Sequence, residues 1–318
     1  MNCVLVTGAG GFVGRALIAE TTARGNLVRG TSRLQGGVRE NIDSVVITDV
    51  GPCTDWGRAL NGCDVVIHLA ARAHVMTEAD LDPLLAYRQV NVQGTFNLAR
   101  QAATIGVQRF LFVSSIGVNG AETFEQPFTD QVGVAPHSPY AVSKYEAELG
   151  LQALAKDTGM EVVIIRPPLV YGPNAPGNFG SLMRWLNRGI PLPLGAIHNQ
   201  RSLVALDNLV DLIITCLTHP AAANQTFLVS DGEDLSTTEL LRRMGVALGK
   251  PARLVPIPVS VLKLGAALLG KPEIAQRLCG SLQVDMSKTR DLLGWTPPFS
   301  VDEGLKKAAR GYSRETAF

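Results

Sequence analysis

The chain has 318 residues, 46% of them hydrophobic, with 29 lysines and arginines against 28 aspartates and glutamates. That length and apolar content favour one large α/β core carrying a smaller lobe. A net charge of +1, with no basic stripe or acidic tail, argues against nucleic-acid and membrane-surface partners. Five scattered cysteines (Cys3, Cys53, Cys63, Cys216 and Cys279), none in CxxC spacing, read as reduced, mostly buried thiols. A strand opening at Val4 leaves no room for a signal peptide, so the expected location is cytoplasmic.

The β-branched run Val4 to Val6 stops at Thr7, and glycines follow at Gly8, Gly11 and Gly14 before helical spacing begins with Phe12, Val13, Leu17 and Ile18. A strand, a glycine turn and a helix with free amides suit a pyrophosphate. The spacing is GxxGxxG, with Gly10 leaving a GxG reading open. A second strand, Asn26 to Thr31, ends at Ser32-Arg33, where an acidic residue would bind a ribose 2′-hydroxyl. A hydroxyl and a guanidinium can instead take a 2′-phosphate, which favours NADP(H) over NAD(H). Ser44 to Thr48 is a third strand, and the following Asp49 can accept from an adenine amino group. Asp64 to Leu69 is a fourth; His68 is read as a packed strand-end residue, and Leu69, Ala70 and Ala71 as small backbone beside the cofactor. A long helix is expected over Leu81 to Ile105, then a fifth strand, Arg109 to Val113, running into Ser114-Ser115.

This alternation predicts a Rossmann-like, doubly wound parallel sheet. Its ligand edge collects Thr7, Ser32, Asp49, Ala70 and Ser115 at the strand ends. After a loose segment, Gly117 to Pro139, Ser138 and Pro139 read as N-cap and first residue of a helix carrying Tyr140-Ala-Val-Ser-Lys144. Four residues apart, Tyr140 and Lys144 share a face. A phenol ionises near ~10, and a cation one turn away lowers that value. Lys144 could also hold a nicotinamide ribose, while a serine at the end of the fifth strand orients the reacting oxygen.

Further on, Asp207 to Asp211 opens a helix, Thr226 to Ser230 is a strand returning to the sheet, and Ser236 to Glu239 is a capping box. Pro256 to Lys271 forms an apolar helix, too short to span a bilayer and expected to be buried or interfacial. Ser287 to Leu293 and Val301 to Tyr312 are closing helices. The expected division is a dinucleotide-binding domain over 1–170, rejoined by about 206–232, and a substrate lobe over 171–318.

The chain resembles the extended short-chain dehydrogenase/reductases, in particular the nucleotide-sugar epimerase/dehydratase group. The likeness rests on TGAGGFVG (Thr7 to Gly14), HLAA (His68 to Ala71), NVQGT (Asn91 to Thr95), FVSSIGVNG (Phe112 to Gly120), YAVSK (Tyr140 to Lys144) and RPPLVYGP (Arg166 to Pro173). It implies Ser115 as the catalytic hydroxyl, Tyr140 as acid/base and Lys144 as its partner. It also implies a cofactor lying against Gly8, Gly11, Phe12, Val13, Ser32, Arg33, Asp49, Val50, Leu69, Ala70, Ala71, Tyr140, Lys144 and Pro167. A UDP-sugar would meet Ser115, Asn178 and Arg201, with Arg277 a further diphosphate candidate; no metal is implied, and dimers are common in the family. Asn119 stands where the family usually has tyrosine, and Ser32-Arg33 replaces an acidic residue. The favoured activity is reduction of a UDP-4-keto-6-deoxy-N-acetylhexosamine for surface polysaccharide synthesis. The alternative is a UDP-hexose or UDP-N-acetylhexosamine 4-epimerase with retained NAD.

Overall fold

Alternation along short aliphatic runs builds the sheet, because successive side chains leave a strand on opposite faces. The structure, a computed structural model, describes residues 3–34, 37, 42–73, 82–131 and 134–313. Its strands are β1 (Val4–Thr7), β2 (Val28–Ser32), β3 (Asp43–Val46), β4 (Val65–His68), β5 (Arg109–Val113), β6 (Glu161–Arg166), β7 (Leu169–Tyr171), β8 (Arg201–Ala205), β9 (Thr226–Leu228) and β10 (Asp234–Leu235). Seven form one parallel sheet in the order β3-β2-β1-β4-β5-β6-β9. Val4, Val6, Ile67, Leu111, Val163 and Ile165 face one core, with Leu17 and Ile18 of the helix Phe12–Ala23 and Leu209 and Ile213 of Leu206–Thr218. Leu5, Val66, Phe110, Phe112 and Ile164 face the other, with Leu98 and Ala102 of the helix Thr95–Ile105 and Ala147 and Leu151 of Pro139–Thr158. Helices therefore cover both faces, the doubly wound arrangement read from the sequence.

A second sheet, β10-β8-β7, pairs β7 with β8 in parallel and β10 with β8 antiparallel. A third core beside it joins Phe179 and Met183 of the helix Gly177–Asn187, Leu241 and Met244 of Thr237–Ala247, and Leu305 and Ala308 of Val301–Ser313. The helix Ser287–Leu293 carries Leu293 into the first core, beside Trp295. β6, β7, β8 and β10 lie outside the strands read from the sequence. None of the five cysteines forms a disulfide, and of them Cys63 and Cys216 are buried.

Two helices depart from expectation. Leu81 lies outside the described residues, and the remainder of the expected long helix is Pro83–Arg88, a π-helical segment Gln89–Gly94, and Thr95–Ile105. Within the wider turn the Thr95 hydroxyl donates to the Asn91 carbonyl (2.8 Å), and the Asn91 side chain bonds the backbone of Arg72 through both its oxygen and its nitrogen. The apolar helix is Val259–Leu268, shorter than the expected Pro256 to Lys271; it has no buried residue and packs Val259 and Leu262 on the third core, which rules out the buried placement and leaves the interfacial one.

Behind β6 sits a buried ion pair. Arg166 donates to both carboxylate oxygens of Glu148 (Nη2–Oε2 2.6 Å), and the side chains are 4% and 1% exposed. Removing one partner of such a pair leaves the other charge buried and uncompensated, which costs about 3–5 kcal/mol. Glu148→Gln is accordingly expected to lower the unfolding free energy by that amount in urea titration; a loss below about 1 kcal/mol would mean that solvent reaches Arg166.

Candidate active site

At the end of β1, Gly8 takes φ +66°, and a Cβ there would stand 2.9 Å from the Ala70 amide nitrogen. Only glycine lets the first turn approach β4 this closely. The Gly11 amide donates to the Gly8 carbonyl at 2.9 Å, closing the turn. Gly11 then starts the helix Phe12–Ala23 with extended backbone and no side-chain cap. Its first amides and the positive end of its dipole are thus available to a diphosphate. Phe12 and Val13 pack on the first core. Leu69 and Ala70 both donate their amides to Thr7 Oγ1 at 3.2 Å, and Ala71 follows them. The Pro167 carbonyl accepts from the Ile116 amide at 3.0 Å. Asn97 and Thr54 shape the loop after β3, where Thr54 Oγ1 donates to Asp49 at 3.1 Å and the Val50 carbonyl packs against Gly94. The Ser32 hydroxyl donates to the Leu34 carbonyl (2.5 Å), so its single proton is already used; Arg33 is exposed. Among the described residues the buried Ser114 hydroxyl at the end of β5 has no hydrogen-bond partner. The glycine cradle, the uncapped helix and this unpartnered hydroxyl fit a dinucleotide.

Beside this cradle, Ser138 Oγ accepts from the Ala141 amide (3.2 Å) and caps the helix Pro139–Thr158. Such a cap is worth about 1 kcal/mol and fixes where Tyr140 and Lys144 begin their shared face. Lys144 is 2% exposed. Its Nζ donates to the Val113 carbonyl at 2.9 Å, lies 4.3 Å from the Phe112 ring centre and 6.0 Å from that of Tyr140. Ser115, two residues after Val113, caps the turn Ile116–Val118 by accepting from the Gly117 amide at 3.1 Å. Lysine and serine are thereby referred to the same strand end. Tyr140 meets Tyr87 edge-on, ring centres 6.1 Å apart.

The electrostatics correct one expectation. Without ligand, burial pushes Tyr140 up to about 12, and burial lowers Lys144 to about 7 against a smaller opposing pull from the Glu148 carboxylate. A unit charge about 6 Å away at an effective dielectric near 20 is worth ~3 kcal/mol, about two pKa units. That attraction acts only while Lys144 keeps its proton, and burial works against the proton.

Behind Lys144, His68 is fully buried and stacks on Phe112. Burial, then the nearby Lys144 charge, lowers it to about 3, so it is neutral. Thr7 Oγ1, already accepting two amides, donates to His68 Nδ1 (2.7 Å); Nε2–H donates to Thr95 Oγ1 (3.0 Å), whose own proton goes to Asn91. His68 is thus a structural relay between β1 and the π-helical turn. Asn119 accepts from Arg166 Nη1 (3.0 Å) and donates to the Thr129 carbonyl (2.7 Å), tying the loop after Ser115 to the buried ion pair. Neither Glu148 nor Arg166 is singled out from sequence as part of the site, although each falls four residues from, or one residue before, a residue that is.

The expected substrate residues sit on the second lobe. Asn178 is exposed at the second position of the helix Gly177–Asn187. Arg201 opens β8, donates to the Gly280 carbonyl at 3.0 Å and, among the described residues, has no carboxylate within ion-pair distance; burial lowers its pKa. Neither hydrogen-bonds to Ser115, Tyr140 or Lys144. Arg277 is exposed and pairs with Glu273 at 3.5 Å. Among the described residues no His, Cys, Asp and Glu cluster could hold a metal, and no helix is long and apolar enough to cross a membrane.

Residues 4–230 match the NAD dependent epimerase/dehydratase family. A UDP-glucose 4-epimerase of Vibrio cholerae is 48% identical over 316 residues, spanning 97% of this chain and 95% of that one. The structure of UDP-glucose 4-epimerase from Thermotoga maritima with UDP-glucose overlays with a TM-score of 0.78 at 22% identity, covering 98% and 99% of the two chains. That of UDP-glucuronic acid 4-epimerase from Bacillus cereus with NAD gives 0.79 at 21% identity, again over 98% and 99%. The two overlays bear on the fold, and the family match and the Vibrio relative reach the sequence itself: the chain belongs to the NAD dependent epimerase/dehydratase family.

Proposed function

We propose that the protein is a UDP-sugar 4-epimerase that retains its nicotinamide dinucleotide through each turnover. The full-length relative named UDP-glucose 4-epimerase supports this reading over the 4-keto reductase favoured from sequence alone. The observation that carries the chemistry is Lys144, buried and held by the Val113 carbonyl two residues before Ser115, with Tyr140 one turn away. In this reading residues 1–170 with about 206–232 hold the dinucleotide, and the remainder of 171–318 holds the nucleotide sugar.

The cofactor would lie on Gly8, Gly11, Phe12, Val13, Asp49, Val50, Leu69, Ala70, Ala71 and Pro167, with Lys144 at its nicotinamide end. When bound, it supplies a hydride acceptor at sugar C4 and, when oxidised, a positive charge. Tyr140 takes the proton from the C4 hydroxyl and returns it to the C4 oxygen after the keto sugar has turned its opposite face to the site. Ser115 holds the C4 oxygen, stabilising charge that develops there. Lys144, when protonated, favours the Tyr140 phenolate. Arg201, which among the described residues makes no ion pair and feels Glu122 only at longer range, suits the diphosphate, and Asn178 borders the sugar.

One observation keeps the reductase as a second reading: exposed Arg33, where NAD selectivity would call for an acid. Since Ser32 already donates to Leu34, a 2′-phosphate would rest on Arg33.

Purified protein given UDP-glucose or UDP-N-acetylglucosamine without added nucleotide is expected to invert C4, followed by proton NMR. One-for-one consumption of NADPH on a UDP-4-keto-6-deoxy sugar, with no inversion, would replace this reading by the reductase. Nucleotide released on denaturation is expected to be NAD; NADP would shift the assignment the same way. Tyr140→Phe is expected to lower kcat by about 10²–10⁴-fold, and unchanged turnover would remove Tyr140 from its role. Lys144 titrates at about 7 in the fold, against its ordinary 10.5. Between those values the unfolded chain holds the extra proton, so this residue makes stability rise with pH. Urea unfolding of cofactor-free protein at about pH 7 and about pH 9 should show a smaller rise in Lys144→Met than in wild type; equal rises would contradict the burial.

A further inference from the structure

The balanced total charge conceals a local imbalance in the second lobe. From Leu240 to Pro272 the chain carries Arg242, Arg243, Lys250, Arg253, Lys263 and Lys271 and no carboxylate; the exposed Glu273 that follows is paired with Arg277. Glu239 and Glu233 engage the first two. Among the described residues the other four have no carboxylate within ion-pair distance, although Lys263 lies close enough to Cys279 to act on its thiol. This stretch contains the surface helix Val259–Leu268. Val259 and Leu262 pack on the lobe's core, while Val261, Leu264 and Leu268, spaced three and four apart, are 54%, 63% and 80% exposed. Leu269, just beyond the helix, is 76% exposed, and Ile274 on the next helix, Pro272–Cys279, is 47% exposed.

A continuous row of exposed aliphatic side chains marks a surface that is covered in use. Its charge decides what covers it. In a two-fold contact between copies, Lys263 and Lys271 at the rim would face lysines of the other copy, while Glu273 is already paired with Arg277. Anionic headgroups neutralise such a rim, and aliphatic residues flanked by lysines form the composition of a helix lying in a bilayer interface. We propose that this face docks the protein on an anionic lipid surface, with Leu264, Leu268 and Leu269 entering the headgroup–acyl boundary and Lys263 and Lys271 at phosphate level. The helix Pro272–Cys279 leads directly to Gly280, whose carbonyl holds Arg201, so the docked face is continuous with the proposed diphosphate side of the site. The inference does not depend on which C4 chemistry the site performs.

Full-length protein floated with vesicles of phosphatidylethanolamine and phosphatidylglycerol is expected to associate, and with phosphatidylcholine vesicles alone to remain free. A Leu264→Glu/Leu268→Glu variant should lower the bound fraction roughly tenfold or more, because it removes the inserted side chains and adds like charge to the lipid. Lys263→Gln/Lys271→Gln should weaken binding and flatten its salt dependence. These positions are exposed and outside the catalytic group, so turnover of a soluble UDP-sugar and the circular dichroism spectrum are expected to stay at wild-type levels, which separates lost docking from lost folding. Wild-type protein that ignores phosphatidylglycerol vesicles, or variants that bind as wild type does, would overturn the proposal. So would a dimer dispersed by the leucine variant in sedimentation without any vesicle binding, which would identify the face as a contact between copies.

Discussion

A lysine side chain almost sealed from water sets the terms for the candidate site. Lys144 donates to the Val113 carbonyl, at the end of β5, with the Phe112 ring alongside. That depth costs it its proton near neutral pH, and the same desolvation pushes the Tyr140 phenol upward. Neighbouring groups are consistent with this. His68 beside it stays neutral, and Glu148, one turn further along the same helix, favours the ammonium while its carboxylate is held by Arg166. A ligand that brings charge into this pocket therefore acts on two groups whose protonation burial has already shifted.

The sheet converts this local chemistry into a site. Parallel strands end on one edge, and Gly8 permits the first turn to close against Ala70. The uncapped helix at Gly11, the Ser114 hydroxyl and the Ser115 turn lie along that edge, while Asn119 ties the loop after Ser115 back to β6 through Arg166. The Asn119 amide uses two separate atoms for this bridge: its oxygen accepts from the Arg166 guanidinium and its nitrogen donates to the Thr129 carbonyl.

Local signals were readable in the residues, and long-range ones were not. The glycine turn, the Ser138–Pro139 helix start and the shared face of Tyr140 and Lys144 depend on neighbours within a few positions, so spacing reveals them. The Val113 carbonyl that holds Lys144 is 31 residues away and belongs to the backbone, which leaves no trace in side-chain pattern. Apolar periodicity predicts one continuous long helix because it does not register the π-helical turn made by Asn91 and Thr95. Glu161–Arg166 ends in a charged residue whose partner, Glu148, lies on another element, so its burial as β6 is a tertiary outcome. The helix Val259–Leu268 is apolar nearly all round, and such a pattern cannot say which side meets the protein.

The central claim is that C4 loses and regains the same hydride inside one closed site. A UDP-hexose carrying deuterium at C4, converted by purified protein without added nucleotide, tests it directly. The account predicts inverted product that keeps its deuterium at C4 with none exchanged into water or into free nucleotide. Inverted product that has lost the label, or label transferred to a released dinucleotide, would contradict it.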